Sequence, residues 1–320
     1  MNIKLIYARL KADIDLIEKE LEQAVGSSSA ILEEASVHLL QAGGKRIRPV
    51  MLLLGAKFGD YDIHRVKYAA ASLELIHMAS LVHDDVIDDA VIRRGKHTVK
   101  AEWDNRIAMY AGDYIFAAAL DSMTKIDDVE AHRILSRTMT ELCIGEIVQI
   151  QDKYRYDQHL RDYLRRIKRK TAILIAASCQ LGAISAGAPA SVHRKLYEFG
   201  YNVGMSFQIT DDILDFTASE KELGKPAGGD LLQGNITLPV LYAMQDNEMR
   251  TRISSIHAHS SREEIDDIIA RLKSSDVIEQ SHALSRRYLN RALMILTELP
   301  EGRHRNSLRD IAHFIGKRKY

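Results

Sequence analysis

Two short runs repeat one pattern of three carboxylates: Asp84, Asp85 and Asp88 in His-Asp-Asp-Val-Ile-Asp-Asp, and Asp211, Asp212 and Asp215 in Thr-Asp-Asp-Ile-Leu-Asp-Phe. Each follows a largely apolar, helix-like stretch. On a helix, positions i and i+4 lie one turn apart on one face, so Asp84 with Asp88 and Asp211 with Asp215 form vertical pairs of oxygen donors whose like charges repel. None of these aspartates has Lys or Arg at i±3 or i±4. Asp266 and Asp267 supply the contrast, because Arg262 and Arg271 sit one turn away in the ordinary solvated arrangement.

Crowded aspartates without a local counter-charge call for an external cation. Mg2+ fits, since it takes hard oxygen ligands, binds through a few carboxylates and completes its octahedron with water and substrate phosphate. Neither run has the Gly and terminal Glu of an EF-hand loop, which argues against calcium. One acidic helix end is common surface chemistry; a second copy with the same spacing is not.

Metals that bridge to phosphate need cations nearby, and four segments offer them. Gly43-Gly44-Lys45-Arg46-Ile47-Arg48-Pro49 joins backbone freedom to three bases. Arg93-Arg94-Gly95 follows the first carboxylate run, Lys170-Thr171 closes the basic run from Arg161, and Lys225 follows the second run in Gly224-Lys225-Pro226. Taken singly, each is a solvated face. Grouped around two metal-type clusters, they point to diphosphate anions as ligands.

Helices must position these groups. None of the 5 prolines lies between Pro49 and Pro189, and apolar residues such as Leu10, Ile14, Ile17, Leu21 and Ala24 step by three and four. Alternating strand patterns bounded by hairpin turns are not found. The expected fold is all-α. Loops are expected near Gly26–Ser29, Gly59–Asp62, Arg94–His97, Asp127–Asp128, Glu220–Gly229 and Pro300–Arg303. None resembles a linker, so residues 1–320 are read as a single helical domain, a bundle able to hold a site between its helices.

Composition narrows the partners. With 320 residues, 46% apolar, the chain can build a large core. Lys+Arg and Asp+Glu both number 44, so no chain-wide basic field exists and nucleic acid is not an expected partner. Cys143 and Cys179 are too few for a disulfide framework, which fits a reducing cytoplasmic setting. Thr171 to Val192 carries no charge, yet its Ser, Thr, Gln, Gly and Pro content favours a buried core helix over a membrane span. Membrane contact is expected to be peripheral at most.

These residues, in this order, resemble the trans-isoprenyl diphosphate synthase family. The resemblance rests on Gly-Gly-Lys-Arg-Ile-Arg-Pro, both Asp-Asp-x-x-Asp runs, Arg93-Arg94-Gly95, Lys170-Thr171, Gln208 and Gly224-Lys225-Pro226, and covers about Gly43 to the C-terminus. It implies an isoprenoid synthase type of fold, helical around a deep central cavity with the aspartate runs facing across its mouth. By position, Asp84, Asp85, Asp88, Asp211, Asp212 and Asp215 would hold several Mg2+ ions against the allylic diphosphate. Arg93, Lys170, Thr171, Gln208 and Lys225 would contact that diphosphate. Lys45, Arg48, His77 and Arg94 would bind isopentenyl diphosphate. Where many members have Gly-Lys-x-Thr-Leu-Pro, this chain has Asn235 in place of the lysine, which lacks the charge but still donates hydrogen bonds.

The implied reaction is ionisation, condensation and elimination: an allylic primer of farnesyl type ionises, the alkene of isopentenyl diphosphate attacks, and a proton is lost. Asp84, Asp85, Asp88, Asp211, Asp212 and Lys170 carry the ionisation; no protein nucleophile or base is assigned, and His83 is read as structural or solvent-facing. A product growing from Asp84 and Asp85 would run back along their helix, where Ala79 and Ser80 are small and Ile76 lies deeper, with Met123 and Ile144 as further wall residues. A Phe or Tyr at Ala79 is expected to shorten the product. A long all-trans chain is expected, heptaprenyl by resemblance, serving a respiratory quinone such as menaquinone. The likeness is greatest to catalytic subunits of two-component bacterial enzymes, which implies a dissimilar small subunit, a homodimer being the other arrangement.

Overall fold

The computed structural model describes residues 3–219 and 227–316. The fold is all-α apart from one small hairpin, and the chain divides into two compact units, each described by itself. Residues 1–139, 177–197 and 299–308 form the first, and 140–176, 198–298 and 309–320 the second.

In the first unit, α1 (Ile3–Ala24) buries Ile6, Leu10, Ile17 and Leu21, the stripe expected of an amphipathic helix. After α2 (Ala30–Gln41), α3 (Ile47–Ala56) carries Pro49 in its first turn, where a missing N–H costs nothing. The long α4 (Ile63–Ile87) is buried almost without a break from Ala69 to Ala79, as a central helix must be. Side-chain caps set helix starts where the proline-free stretch alone suggested none. Asp62 Oδ1 accepts from His64 N at 2.9 Å before α4, and Asp104 Oδ1 from Ile107 N at 2.8 Å before α6 (Asn105–Thr124).

Between α4 and α6 lie β1 (Ile92–Arg93), β2 (Lys96–His97) and the short α5 (Val99–Glu102). The strands pair antiparallel, Arg93 opposite Lys96, around Arg94 and Gly95 at φ 53° and 78°. Two consecutive positive φ values make the tight turn whose twist matches paired strands. Where the sequence suggested only a loop, there is a hairpin; two-residue strands are too short to show alternation.

In the second unit, residues 140–152 of α7 (Val129–Asp152) lead to α8 (Leu160–Ile167) and a π-helical turn at Lys168–Ala172. Tyr163, Ile167, Ala172, Met205, Ile209, Ile213 and Leu238 pack into one core, joining α8 and the turn to α10 (Ala190–Thr217) and α12 (Leu238–Ala243). Phe216, Leu231, Ile236, Val240, Ile253 and Ile265 form a second core. It is supplied by α11 (Gly229–Leu232), α13 (Asn247–Ser254) and α14 (Arg262–Ser274), with α15 (Val277–Thr297) and α16 (Arg303–Gly316) following.

The uncharged stretch forms α9 (Ile173–Ser185), buried from Ile173 to Ile184. No helix of the described residues is long and apolar enough to cross a membrane.

Candidate functional site

The first carboxylate run sits where α4 ends. Asp84 and Asp85, 8% and 2% exposed, lie in its last turn, and Asp88 caps it by donating its backbone N–H to Asp84 O at 2.8 Å. The pair predicted one turn apart is therefore one turn apart. Carboxylates at a helix C-terminus face the negative end of the macrodipole, so the placement is unfavourable until a cation compensates it. Part of that cation is internal. The hairpin folds Arg93 back onto Asp85, with Nε 2.7 Å and Nη2 2.6 Å from Oδ1. Burial still prevails, raising the Asp85 carboxyl above the usual range against the pull of Arg93.

The Gly-Gly-Lys-Arg-Ile-Arg segment divides its bases by the company they keep. Arg46, at φ 44°, turns inward: Nε lies 2.5 Å from Glu18 Oε1, Nη1 3.1 Å from Glu74 Oε1, and Nη2 3.2 Å from Leu40 O. By contrast, the side chains of Lys45, Arg48, His77 and Arg94 have no hydrogen-bond or ion-pair partner among the described residues. Arg48 Nε is fully buried without an acceptor. Arg94 lies against the glycine loop, since a Cβ at Gly44 would stand 2.7 Å from Arg94 Nη1.

Burial, with the charges of Arg48, Arg94, Arg93 and Arg46, holds His77 well below its ordinary pKa, so the imidazole is neutral. Arg48 and Arg94 are themselves lowered by desolvation first, opposed by Glu74. Buried cations beside one another, with side-chain donors unpaired among the described residues, are an arrangement that an anion would satisfy.

In the second unit the other carboxylate run occupies the last two turns of α10. Asp211 is exposed, while Asp212 and Asp215 are 4% and 3% exposed. Tyr163 OH donates to Asp212 Oδ2 and Gln208 Nε2 to Asp212 Oδ1, both at 2.8 Å. Thr171 Oγ1 donates to Gln208 Oε1 at 2.5 Å, and Lys170 Nζ to Gln149 Oε1 at 3.0 Å. The π-helical turn places Lys170 and Thr171, and such turns recur at functional sites. α10 closes on it because residue 204 is glycine; a Cβ there would stand 2.6 Å from Ala172 Cα. Asp215 Oδ2 accepts from Asp230 N at 3.2 Å. Lys225 lies outside the described residues.

Burial first, then Asp230, pushes the Asp212 carboxyl up to about 7 against the donors Gln208 and Tyr163. Between an ordinary value of 3.8 and about 7, the folded state binds more protons than the unfolded one, so stability falls as pH rises through that window. Buried His77, lowered well below its ordinary value, acts in the opposite sense over this range, so the expected result is a difference: metal-free Asp212→Asn gains Tm relative to wild type from about pH 4 to about pH 7. A Tm difference between the two proteins that does not change across the window would contradict the raised carboxyl.

No group of three or more His, Cys, Asp or Glu among the described residues is placed to hold an ion with protein ligands alone. Paired carboxylates that leave most positions open suit Mg2+, which keeps waters and takes phosphate oxygens. Engagement of Asp85 and Asp212 does not remove them as ligands, because Arg93 takes only Oδ1 of Asp85 and each Asp212 oxygen accepting one hydrogen bond keeps another lone pair.

Sequence reasoning missed Glu18, Glu74, Gln149 and Tyr163, which touch the expected site residues rather than belonging to a spaced run. His83 packs over Gly112, with Nε2 3.3 Å from Asp113 Oδ1.

Residues 29–272 match the polyprenyl synthetase family. Over its full length the chain is 60% identical to heptaprenyl diphosphate synthase component 2 of Bacillus subtilis, covering 92% of that protein. It is 58% identical to the protein of the same name from Geobacillus stearothermophilus, covering all of it. The crystal structure of heptaprenyl diphosphate synthase from Staphylococcus aureus superposes with a TM-score of 0.93 at 40% identity, over 100% of this chain and 99% of that one. Polyprenyl synthase from Caulobacter crescentus, complexed with calcium and isoprenyl diphosphate, gives 0.93 at 30% identity, over 100% and 98%.

Proposed function

The chain belongs to the polyprenyl synthetase family, and from that premise we propose how its residues build a long all-trans prenyl diphosphate. It is a trans-prenyltransferase that adds isopentenyl diphosphate to an allylic diphosphate of farnesyl type, with heptaprenyl diphosphate as product. The observation that carries this reading is the set Lys45, Arg48, His77 and Arg94, whose side-chain donors have no hydrogen-bond or ion-pair partner among the described residues. Chemistry that only ionised one allylic diphosphate would have no use for a second anion site free of carboxylate ligands.

Asp84, Asp85, Asp88, Asp211, Asp212 and Asp215 would hold Mg2+, which when bound neutralises charge developing on the leaving diphosphate. Arg93 orients Asp85, and Tyr163 and Gln208 orient Asp212. Arg93, Lys170, Thr171, Gln208 and Lys225 bind the allylic diphosphate. Lys170 and Thr171 enter already fixed by Gln149 and Gln208, so little ordering remains to be done at the moment of reaction. Lys45, Arg48, His77 and Arg94 fix the second diphosphate, which directs its alkene at the allylic carbon. Neutral His77 donates one N–H without adding charge. With the lysine of the family replaced by Asn235, allylic diphosphate binding leans more on Lys170, Lys225 and Arg93.

Product length is set along α4. Ala79 and Ile76 are fully buried, whereas Ser80 keeps partial exposure and turns its hydroxyl to His77 O at 2.8 Å. A ring at Ser80 has room that one at Ala79 must make by repacking. Ser80→Phe is therefore expected to shorten the product as much as Ala79→Phe with a smaller loss of Tm; unchanged chain length in both would refute this wall.

The enzyme works in the cytoplasm with a dissimilar small subunit, as the words "component 2" in its relatives' names suggest, and its product serves menaquinone. The test is turnover of labelled isopentenyl diphosphate with farnesyl diphosphate and Mg2+, with and without the small subunit, reading product length. Activity of the chain alone would indicate a homodimer. No turnover in either case would defeat the reading.

A further inference from the structure

Glu74 has no part in the function proposed above, yet it shares α4 with His77 and holds Arg46 of the Gly-Gly-Lys-Arg-Ile-Arg segment. It lies on α4 one turn before His77 and is only 3% exposed. Oε1 accepts from Arg46 Nη1 at 3.1 Å, while Oε2, fully buried, has no hydrogen-bond partner. A half-satisfied buried carboxylate is costly, and Arg46 does not need it, being already held by Glu18 and Leu40 O. What distinguishes the two glutamates is reach. The charge of Glu74 acts on Arg48 and Arg94 as well as on Arg46, whereas Glu18 is bonded to Arg46.

Chemistry gives that charge a use. When the allylic C–O bond breaks and the new C–C bond forms, one diphosphate departs and a proton is lost, but the C–O bond of isopentenyl diphosphate stays intact. The diphosphate in the arginine site then belongs to the lengthened product, and it must leave before the next unit enters. Several clustered cations with no counter-charge would hold it too long, since affinity is expressed mainly in the rate of leaving.

We propose that Glu74 is a built-in counter-charge that weakens the grip of Arg48 and Arg94 on diphosphate, so that the site empties once per extension. The inference rests on the isopentenyl diphosphate site assigned above. Its test is calorimetric titration of the full chain with inorganic diphosphate, with divalent cations chelated so that the aspartate runs recruit none. Glu74→Gln is expected to bind about ten-fold tighter than wild type, and with both substrates to give a lower kcat and shorter products. Glu74→Asp, which keeps the charge but shortens the arm, is expected to stay within about two-fold of wild type.

Unchanged or weaker binding by a folded Glu74→Gln overturns the proposal. Should that variant not fold, Glu74→Asp decides alone: a ten-fold change there means that Glu74 supplies geometry rather than charge. Arg48→Gln separates the two levels of inference. If it leaves wild-type binding intact, the site assignment fails and takes this inference with it. If it abolishes binding while Glu74→Gln does not tighten it, only the counter-charge role falls.

Discussion

Replacing Asp84 with alanine is expected to lower kcat by about a thousand-fold or more, with little change in the fold. Asp84 is 8% exposed in the last turn of α4, one turn from Asp88. It sits where the helix dipole and its acidic neighbours already oppose negative charge. A carboxylate held there at a cost gives that cost back when a divalent cation binds, so removing it removes charge stabilisation from the ionisation step. Loss of one preorganised electrostatic contact in an active site typically lowers rates by roughly 10²- to 10³-fold, and a metal ligand should reach at least the upper end. Asp84→Asn, which keeps the shape, separates charge from packing. Its kcat is expected to be nearly as low, and its Mg2+ half-saturation to rise. Asp211→Ala should behave alike, and the double variant should lose much less than the product of the two losses, because groups acting as one unit are not additive. An Asp84→Ala enzyme within ten-fold of wild type would contradict the assignment.

Arg48→Gln is expected to raise KM for isopentenyl diphosphate about a hundred-fold, leave KM for the allylic primer nearly unchanged, and raise Tm. The first effect follows from losing charge-assisted hydrogen bonds to a diphosphate, worth about 1.5–3 kcal/mol each at about 1.4 kcal/mol per factor of ten. The rise in Tm comes from the empty protein. Arg48 has a buried Nε without an acceptor, and desolvation first, then the charge of Arg94, disfavours its charge against the attraction of Glu74. Relieving that desolvation should stabilise the fold, the usual trade between stability and function. A residue there only for packing would lower Tm and leave KM alone, so calorimetry and steady-state kinetics on one variant distinguish the two. Arg94→Gln, on the exposed hairpin turn, is expected to reproduce the KM effect with less change in Tm.

Much of this site is legible along the chain. The carboxylate spacing, the lack of charged neighbours and the bases at defined intervals are local facts, and α4 and α10 present them as the spacing requires. The uncharged stretch is a buried helix because its Gly and Ala residues suit close contact with other helices. What could not be read is the set of partners. Glu18 and Glu74 lie 28 residues from Arg46 on either side, and Tyr163 lies 49 from Asp212. Nothing in those intervals repeats. The hairpin escaped for another reason, since two-residue strands leave no alternation to detect and Arg94 is not a usual turn residue.

Local chemistry along the chain is enough to make this protein helical, to stand its aspartates in pairs one turn apart, and to space basic residues near them. Those features depend on the 3.6-residue repeat and on the chemistry of side chains, both of which act over a few positions. It takes folding to give Arg46 to Glu18 and Glu74 while Lys45 and Arg48 keep unpaired side chains among the described residues, and to join Thr171, Gln208 and Tyr163 in one chain of hydrogen bonds around Asp212. The reason is physical: a buried charge takes whichever partner the packing brings within about 3 Å, and that neighbour is chosen by the fold, not by the interval along the chain.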